Sequence, residues 1–469
     1  MPAPLPAATL STISSGSVYN ALQMGVKRST TVNQIPAINA ALIKIHDAGG
    51  GTLQFPPGKY LLACTATLHV NIPEYCGISG SHRVSDGHAY SMQFPANLNR
   101  GGTLFYITGN EGDDDGGLEP TGGDKSAIQI GEAGWLENIA VWYPNLTNTN
   151  PPTKYPYAIM TKQTSFVTIR NIGLINCYQG IFINFGSRAL VENVHGSPFS
   201  CGVKVDNTWD ISLLNNIEFV PIQGDEASLN QGSEIPANAY MRQNGVCFQL
   251  SHSDGLLMTN CSAYYYGTFI QLGTANIANG IGTTTRYQVA DSQNNRANGF
   301  LYGAWVTANN CLADYCGFCV LAYSVQTNGC LFNNCFFSSK EGQAIVVTRS
   351  KMAGSIKFSN CHFGLYPATI AIRHEGSGSV SLINTDITPT NANLNAVTST
   401  SIFSTTAGYL SVANCDIMVQ GANLLDATGP ILGIAISGCK LKGTVTTNLS
   451  GVTGSPQILT TGNVPSFYV

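Results

Sequence analysis

The chain has few charged residues: Asp, Glu, Lys and Arg make up 10% of its 469 residues, against about 25% in an ordinary globular protein. The net charge is −4 and no basic stripe follows a phosphate backbone, so nucleic-acid binding is not expected. No apolar run reaches the roughly 18 residues of a membrane-spanning helix. Residues 1–30 lack a charged segment followed by an apolar one, so an ordinary signal peptide is not expected.

The chain has 14 cysteines, but few of its Cys and His residues are spaced as metal ligands usually are. The nearest match is a lone C-x-x-C, from Cys316 to Cys319, without a second pair. A run of aspartates from Asp113 to Asp115 lies in a Gly-rich segment, where a solvated turn is favoured over a calcium site. The sequence therefore predicts no metal and no cofactor.

What the chain does have is an internal repeat, and a period of about 20 to 50 residues is typical of solenoid folds. A short apolar strand runs into Asn, then into an inward residue, then into another strand. Most steps between successive copies are 22 to 33 residues long, and two longer steps of 44 and 50 residues leave room for insertions. The repeat asparagines are Asn138, Asn171, Asn193, Asn216, Asn260, Asn310, Asn334, Asn360, Asn384 and Asn414, with Gly438 in a degenerate last copy.

Each copy contains strands, because apolar residues alternate in segments such as Gly180 to Phe185 and Gly202 to Asp206. Three short strands with their turns fill one rung, and stacked rungs place equivalent residues about 4.8 Å apart. The repeat Asn then forms a hydrogen-bonded ladder, and the next residue, often Cys, points into the core as a small hydrophobe. We expect these cysteines to be reduced and buried: Cys261, Cys311, Cys335, Cys361, Cys415 and Cys439.

The first repeat copies follow a different segment, in which Ile35 to Asp47 has apolar residues at helical spacing. A short helix there caps the open end of a coil, which otherwise exposes apolar side chains and unpaired strand edges. The predicted organisation is an N-terminal segment (1–30), the capping helix and first strand (31–62), a parallel β-helix of about ten coils (63–445) and a C-terminal tail (446–469). Insertions are expected near 221–245 and 273–299.

The segment INAALIKIHDAGGGTLQFPPGKYLL, Ile38 to Leu62, resembles the opening of pectin-lyase-like β-helix proteins. Within that superfamily the chain is most similar to bacteriophage tailspike depolymerases, and its rung pattern extends the resemblance over roughly residues 30 to 445. The resemblance implies an all-β, right-handed parallel β-helix that assembles as a homotrimer. It also implies a virion tail protein, made in the host cytoplasm, which binds and depolymerises capsule or lipopolysaccharide outside the bacterial cell.

Cleavage of a polysaccharide needs two carboxylates, or a base with a neutralising cation, along a groove. Inward positions of a β-helix are core, so we expect the chemistry on outward positions, turns and insertions. The turn after the first strand of each rung places carboxylates on adjoining rungs, where Trp209 would stack on a sugar ring. An alternative remains open, since Asp and Asn also fill turns for their backbone tolerance. This turn group comprises Arg188, Asp206, Trp209, Asp210, His252 and Asp254.

A second candidate stack lies two residues after the repeat Asn and comprises His195, Glu218, Ser262, Leu312, Phe336 and His362. Tyr264 and Tyr265 follow Ser262, and the insertion near 273–299 carries Arg286. The predicted catalytic carboxylates are Asp206, Asp210 and Asp254, with Glu218 in reserve. The predicted substrate-binding residues are Trp209, His252, Arg188, His195, Tyr264, Tyr265 and Arg286.

Three functions remain open from the sequence. The acidic clusters favour a glycoside hydrolase, whereas a lyase would use Lys, Arg, Tyr or His beside a neutralised uronate. A receptor-binding spike without catalysis would need only the aromatic platforms. A cellular pectate-lyase-like enzyme is less favoured, because no signal peptide is evident.

Overall fold

The computed structural model describes residues 17–82, 102–113, 125–162, 164–221, 236–273, 303–326, 328–340, 342–350, 352–366, 368–389, 401–418, 423–442, 446–453, 457–462 and 464–465. The chain forms two compact units, one of Met1–Phe199 with Ile222–Ala237 and one of Ser200–Pro221 with Asn238–Val469. Each unit is built of short parallel strands stacked rung on rung. The predicted right-handed parallel β-helix is confirmed.

The first unit contains the helix α1 (Ile35–Asp47) and twelve strands within its described residues. The strands are β1 (Val18–Asn20), β2 (Gly51–Gln54), β3 (Gly58–Ala63), β4 (Val70–Ile72), β5 (Cys76–Ser79), β6 (Thr103–Thr108), β7 (Ile128–Ile130), β8 (Trp135–Trp142), β9 (Tyr157–Lys162), β10 (Thr168–Ile175), β11 (Gln179–Gly186) and β12 (Leu190–Gly196).

The second unit begins with two strands, β13 (Cys201–Thr208) and β14 (Leu213–Phe219). A second helix, α2 (Pro236–Asn244), precedes β15. The remaining strands are β15 (Val246–Leu250), β16 (Ser253–Thr259), β17 (Ser262–Tyr264), β18 (Thr268–Leu272), β19 (Ala304–Asn309), β20 (Leu312–Cys316), β21 (Phe318–Ala322), β22 (Cys330–Asn333), β23 (Phe336–Ser339), β24 (Ala344–Thr348), β25 (Ser355–Ser359), β26 (His362–Leu365), β27 (Ile370–His374), β28 (Ser379–Ile383), β29 (Asp386–Pro389), β30 (Ser401–Thr405), β31 (Gly408–Ala413), β32 (Asp416–Met418), β33 (Asn423–Gly429), β34 (Ile431–Ser437), β35 (Lys440–Lys442), β36 (Thr447–Val452), β37 (Gln457–Thr461) and β38 (Val464–Pro465).

Helix α1 has the bounds that its apolar spacing predicts. Ile35, Ile38 and Leu42 are buried on one face, and a proline in its first turn supplies a helical φ angle. The helix ends before a run of three glycines, where Gly50 has φ +95° and a Cβ atom would lie 2.5 Å from the carbonyl oxygen of Tyr75. Only glycine fits that contact, so the chain can turn sharply from the helix into β2.

From β15 onward, each strand of the second unit pairs in parallel with the strand three places further along the chain. This pairing produces three ladders, one for each side of the coil. The ladder that contains β17 is named the β17 sheet, and it consists of β14, β17, β20, β23, β26, β29, β32, β35 and β38. It carries the second candidate stack from Glu218 to His362.

The repeat asparagines form the predicted ladder, and all ten have φ between 49° and 61°. This left-handed conformation is more accessible to Asn than to most residues, which explains why Asn recurs and why Gly438, at φ +63°, can replace it. Neighbouring rungs are joined through the side chains, as where Asn171 Nδ2 donates to Asn138 Oδ1 at 2.8 Å and Asn193 Nδ2 to Asn171 Oδ1 at 3.1 Å.

The cysteines that follow the repeat position are buried free thiols, as predicted. We name Cys261, Cys311, Cys335, Cys361 and Cys415 the thiol column. Hydrogen bonding to Cys311, together with burial, raises the pKa of Cys335 to about 12. Its neighbours donate to backbone carbonyls, as Cys361 Sγ does to Phe332 at 3.5 Å. These cysteines therefore act as packed core side chains.

The parallel pairing continues through β36, β37 and β38, beyond residue 445. The domain bounds taken from the sequence stay a prediction. Of the two expected insertions, residues 222–235 and 274–302 lie outside the described residues.

Candidate functional site

Asp206 lies near the end of β13 and is buried, so the outward aspect expected for it is wrong. Its Oδ1 accepts hydrogen bonds from the backbone N–H groups of Asn207, at 3.0 Å, and His252, at 3.2 Å. The second bond joins this turn to the next rung. The physical reason for burial is that a tight, covered turn needs an acceptor for its backbone donors.

Asp210 has the exposure that the sequence predicts. It has φ +66°, and its Oδ1 accepts a hydrogen bond from the N–H of Ile211 at 2.9 Å. Both features agree with the alternative interpretation that Asp fills a left-handed turn position. The carboxylate nevertheless lies on an exposed residue at this corner.

Asp254 is half-buried, and its carboxylate accepts a side-chain hydrogen bond. The buried Gln326 donates from Nε2 to Asp254 Oδ1 at 2.6 Å and to the carbonyl oxygen of Ser253 at 3.1 Å. Thr208 pairs with Ser253 across the ladder. Asp210 comes two residues after Thr208, and Asp254 comes directly after Ser253. The two carboxylates therefore belong to neighbouring rungs, and strands of neighbouring rungs lie about 4.8 Å apart.

Trp209 and His252 contact each other beside these carboxylates. Their rings meet edge to face, with centroids 5.5 Å apart and an interplanar angle of 82°. His252 is buried, whereas Trp209 is half-buried. The buried imidazole therefore packs against the indole in a favourable edge-to-face arrangement.

The second predicted stack forms a column on the β17 sheet from Glu218 onward. Glu218 pairs with Ser262, Ser262 with Leu312, and Leu312 with Phe336. His362 follows, and its ring stacks on Phe336 with centroids 5.2 Å apart. Glu218 is half-buried and stands on the same face as these aromatic rings.

Tyr264 and Tyr265 lie beside this column, at the end of β17. Tyr265 is buried and stacks on Tyr315, one rung away, with centroids 5.5 Å apart and planes within 10°. Arg242 of α2 lies over the Tyr265 ring at 5.3 Å and donates from Nη1 to the phenol oxygen at 2.9 Å. Tyr366 meets the edge of this stack, with its ring 5.1 Å from that of Tyr315. We name Tyr264, Tyr265, Tyr315 and Tyr366 the tyrosine column.

Asp314 pairs with Tyr264 across the β17 sheet and is half-buried. The fully buried Ser338 donates to its Oδ1 at 2.7 Å. The same serine oxygen accepts the backbone N–H of Tyr315 at 3.1 Å. Burial, together with the negative charge of Asp314, raises the pKa of Tyr366, so that hydroxyl keeps its proton at neutral pH.

Two predicted residues lie in the first unit. The guanidinium of Arg188, an exposed residue, lies over the Phe166 ring at 5.3 Å. His195 is half-buried on β12 and pairs with Gly173. Arg286, also predicted to bind substrate, lies outside the described residues.

The sequence did not single out Gln326, Tyr315 or Tyr366. Gln326 follows a rung turn with no motif around it, so only the folded chain brings it to Asp254. Tyr315 could have been found from the repeat. Tyr264 and Asp314 are paired residues on neighbouring rungs, and each is followed directly by a tyrosine, Tyr265 or Tyr315.

No group of three or more His, Cys, Asp or Glu side chains able to hold a metal occurs in the described ranges. In the suggested calcium segment, Asp113 forms an ion pair with Lys125, while Asp114 and Asp115 lie outside the described residues. Cys316 and Cys319 are both buried free thiols. Among the described helices, none is long and apolar enough to cross a membrane.

Comparison with solved structures finds the same fold in a phage tailspike protein. The tailspike protein of E. coli bacteriophage HK620, in complex with a hexasaccharide, superposes with a TM-score of 0.51 at 12% identity, covering 94% of this chain and 78% of that one. Its complex with a pentasaccharide gives 0.50 at 12% identity, with the same coverage. DFA-IIIase from Arthrobacter chlorophenolicus A6 gives 0.48 at 10% identity, covering 89% and 93%. No family model and no curated protein sequence matches the chain.

Proposed function

We propose that this chain is a phage-type tailspike that binds and depolymerises a bacterial surface polysaccharide, either capsule or lipopolysaccharide. It works as a homotrimer on a virion tail. The observation that carries the proposal is the turn group of the second unit, where the exposed Asp210 and the half-buried Asp254 follow paired residues on neighbouring rungs and Trp209 contacts the buried His252. The tailspike that shares the fold was solved with bound oligosaccharides, which supports this choice of ligand class.

The reaction that we propose is glycosidic hydrolysis by an acidic pair from Asp206, Asp210 and Asp254. Asp210 is exposed and Asp254 is half-buried, whereas Asp206 is buried and binds two backbone amides at the end of β13. One carboxyl would protonate the leaving oxygen, and the other would act as nucleophile or would activate water. Gln326 keeps Asp254 in place through a 2.6 Å hydrogen bond. Glu218, on the β17 sheet, stays the reserve candidate.

A polysaccharide lyase is the second candidate, and the Arg242–Tyr265 contact favours it. A lyase needs a base such as Tyr and a cation that neutralises the uronate, and Arg242 and Tyr265 bring these two residue types within 2.9 Å of each other. A receptor-binding spike without catalysis is the third. It requires the aromatic residues but none of the carboxylate chemistry.

The test is a cleavage assay on purified capsules and O-antigens with wild-type protein, Asp210→Asn and Asp254→Asn. Each change should lower cleavage by roughly two orders of magnitude or more, because the amide keeps the shape of the acid but cannot transfer its proton. Binding and assembly should persist. Asp386→Asn is the matched control, since Asp386 is an exposed carboxylate on the β17 sheet.

Wild-type rates in both Asn variants would exclude this turn as the catalytic centre, and Glu218 would then be tested in the same way. Ultraviolet absorbance by an unsaturated uronate product would show a lyase instead. Binding of a polysaccharide without any cleavage product would support the third candidate, a receptor-binding spike without catalysis.

A further inference from the structure

The tyrosine column and Asp314 form a cluster separate from the carboxylates of the turn group. They lie at the β17 sheet, and their elements are β17, β20, β23 and β26 with helix α2. The cluster contains hydrogen-bond donors and acceptors: the phenols of the half-buried Tyr264, Tyr315 and Tyr366, the carboxylate of Asp314 and the guanidinium of Arg242, while Tyr265 is buried beneath them. These groups are what a ligand rich in hydroxyls requires.

The backbone is built to hold this arrangement. Tyr265 has φ +68° and Tyr315 has φ +52°, a region that bulky side chains rarely adopt. The register between β20 and β23 shifts between Ala313 and Cys316, at a β-bulge that includes Tyr315. Bulges redirect side chains and are over-represented beside active sites, and left-handed backbone at non-glycine residues is kept where the surroundings enforce it.

Asp314 is oriented before any ligand arrives. The chain of hydrogen bonds runs from the Tyr315 N–H to Ser338 Oγ and from that hydroxyl to Asp314 Oδ1. Because Ser338 is fully buried, its hydroxyl cannot turn to water instead. Within the described residues this serine holds Oδ1, and Oδ2 of the half-buried carboxylate is left to accept a hydrogen bond from a ligand.

The faces of the tyrosine rings are largely covered by neighbouring tyrosine rings. Tyr265 and Tyr315 are stacked, and Tyr366 is turned by 83° to Tyr315. A ligand therefore meets ring edges and hydroxyl groups along the stack. The Tyr265–Tyr315 ring spacing of 5.5 Å is close to the spacing of neighbouring rungs. Tyr264 precedes Tyr265 on the same rung, and Tyr366 lies two rungs beyond Tyr315, so the phenols are distributed along the rungs from β17 to β26.

We propose that Asp314 and the tyrosine column form a second glycan-binding site, which takes an uncharged, hydroxyl-rich sugar. Asp314 Oδ2 accepts a sugar hydroxyl, and the phenols of Tyr315 and Tyr366 supply further hydrogen bonds. Beside Asp314 the carboxylate disfavours an anionic sugar group by like-charge repulsion, while the nearby Arg242 guanidinium is engaged with the ring and the hydroxyl of Tyr265. The inference rests on the proposed function for the ligand class, and it adds an attachment point distinct from the cleavage centre.

The experiment measures binding of the full chain to an array of purified bacterial capsules and O-antigens, both neutral and acidic. Asp314→Asn should reduce affinity for the bound glycan at least about tenfold, since hydrogen bonds to charged groups are worth more than neutral ones. Tyr366→Phe should reduce it less. Asp386→Asn, the exposed carboxylate of the same sheet, should bind as wild type, and thermal unfolding of all three variants should match wild type.

Each outcome decides a different point. Loss of binding in Asp314→Asn at unchanged stability, with neutral glycans as the ligands, supports the second site. Wild-type affinity in Asp314→Asn overturns it while leaving the proposed function intact, and so does binding confined to acidic glycans. If the wild-type protein binds no glycan on the array, both the proposed function and the second site are overturned.

Discussion

His374 makes the stability of the coil depend on pH in a way that can be measured. It lies at the end of β27, is fully buried, and pairs with Thr348 on one rung and Thr405 on the other. Its Nε2 lies 3.2 Å from the carbonyl oxygen of Gly378. A carbonyl only accepts, so Nε2 carries the hydrogen, and Nδ1 accepts the Thr348 hydroxyl at 2.7 Å. The neutral ring is thus fully satisfied.

Burial lowers the pKa of His374 from 6.5 to about 4, although its bond to Gly378 opposes this shift. The unfolded chain therefore binds a proton that the folded chain does not between these pH values. Stability is fully present above pH 6.5 and is lost as pH falls through about 4. At about 1.4 kcal/mol per pKa unit, the loss is about 2 kcal/mol between pH 7 and pH 5 and about 3 kcal/mol by pH 4.

The perturbation is His374→Gln, which removes the titrating ring and keeps a polar side chain. Unfolding is followed in urea at pH 7 and at pH 5 for both proteins. The variant should be less stable at pH 7, but its stability should fall less between the two pH values, by about 2 kcal/mol. A direct titration of the labelled imidazole by NMR gives the pKa itself. Equal pH dependence in both proteins, or a measured pKa near 6.5, would refute the reasoning.

Three further predictions concern the solenoid. The thiol column should resist thiol reagents in the native protein and react after denaturation, and a mass two protons lower per cysteine pair would contradict its reduced state. Asn360→Ala should lower the free energy of unfolding by about 2 kcal/mol, because alanine is strained in the left-handed conformation and the hydrogen bonds to Asn333 and Asn384 are lost. Asn360→Gly should lower it less, because glycine avoids the strain. Unfolding midpoints of both variants equal to that of the wild type would contradict the role of the ladder. Light scattering should give three times the 49.7 kDa chain mass, and a monomer mass would end the trimer proposal.

The fold was predictable from the sequence because its signals are local and repeated. A left-handed turn position selects Asn, an inward small position selects Cys, and alternation marks the strands between them. Each copy reports the same geometry, so ten weak signals combine into a strong one. Helix α1 was predictable for a related reason, since its apolar face and terminal glycines are contiguous in the chain.

The candidate site was less predictable because outward positions carry no such redundancy. The sequence placed Asp206 in a turn but did not show that two backbone amides would draw its carboxylate inside. It identified the column from Glu218 to His362, where one period is enough to align residues. It did not connect Gln326 to Asp254, because the expected insertion near 273–299 lies between them in the chain. It did not connect Ser338 to Asp314, because that contact depends on the β-bulge between Ala313 and Cys316.

Mass spectrometry of purified capsules and O-antigens treated with the protein tests the central claim most directly. A hydrolysing spike should release fragments whose masses equal whole numbers of repeat units plus one water, from a polysaccharide that it binds. Asp254→Asn should bind the same polysaccharide and release almost none. Intact polysaccharide after treatment with wild-type protein, or equal fragmentation by Asp254→Asn and Asp210→Asn, would contradict the account.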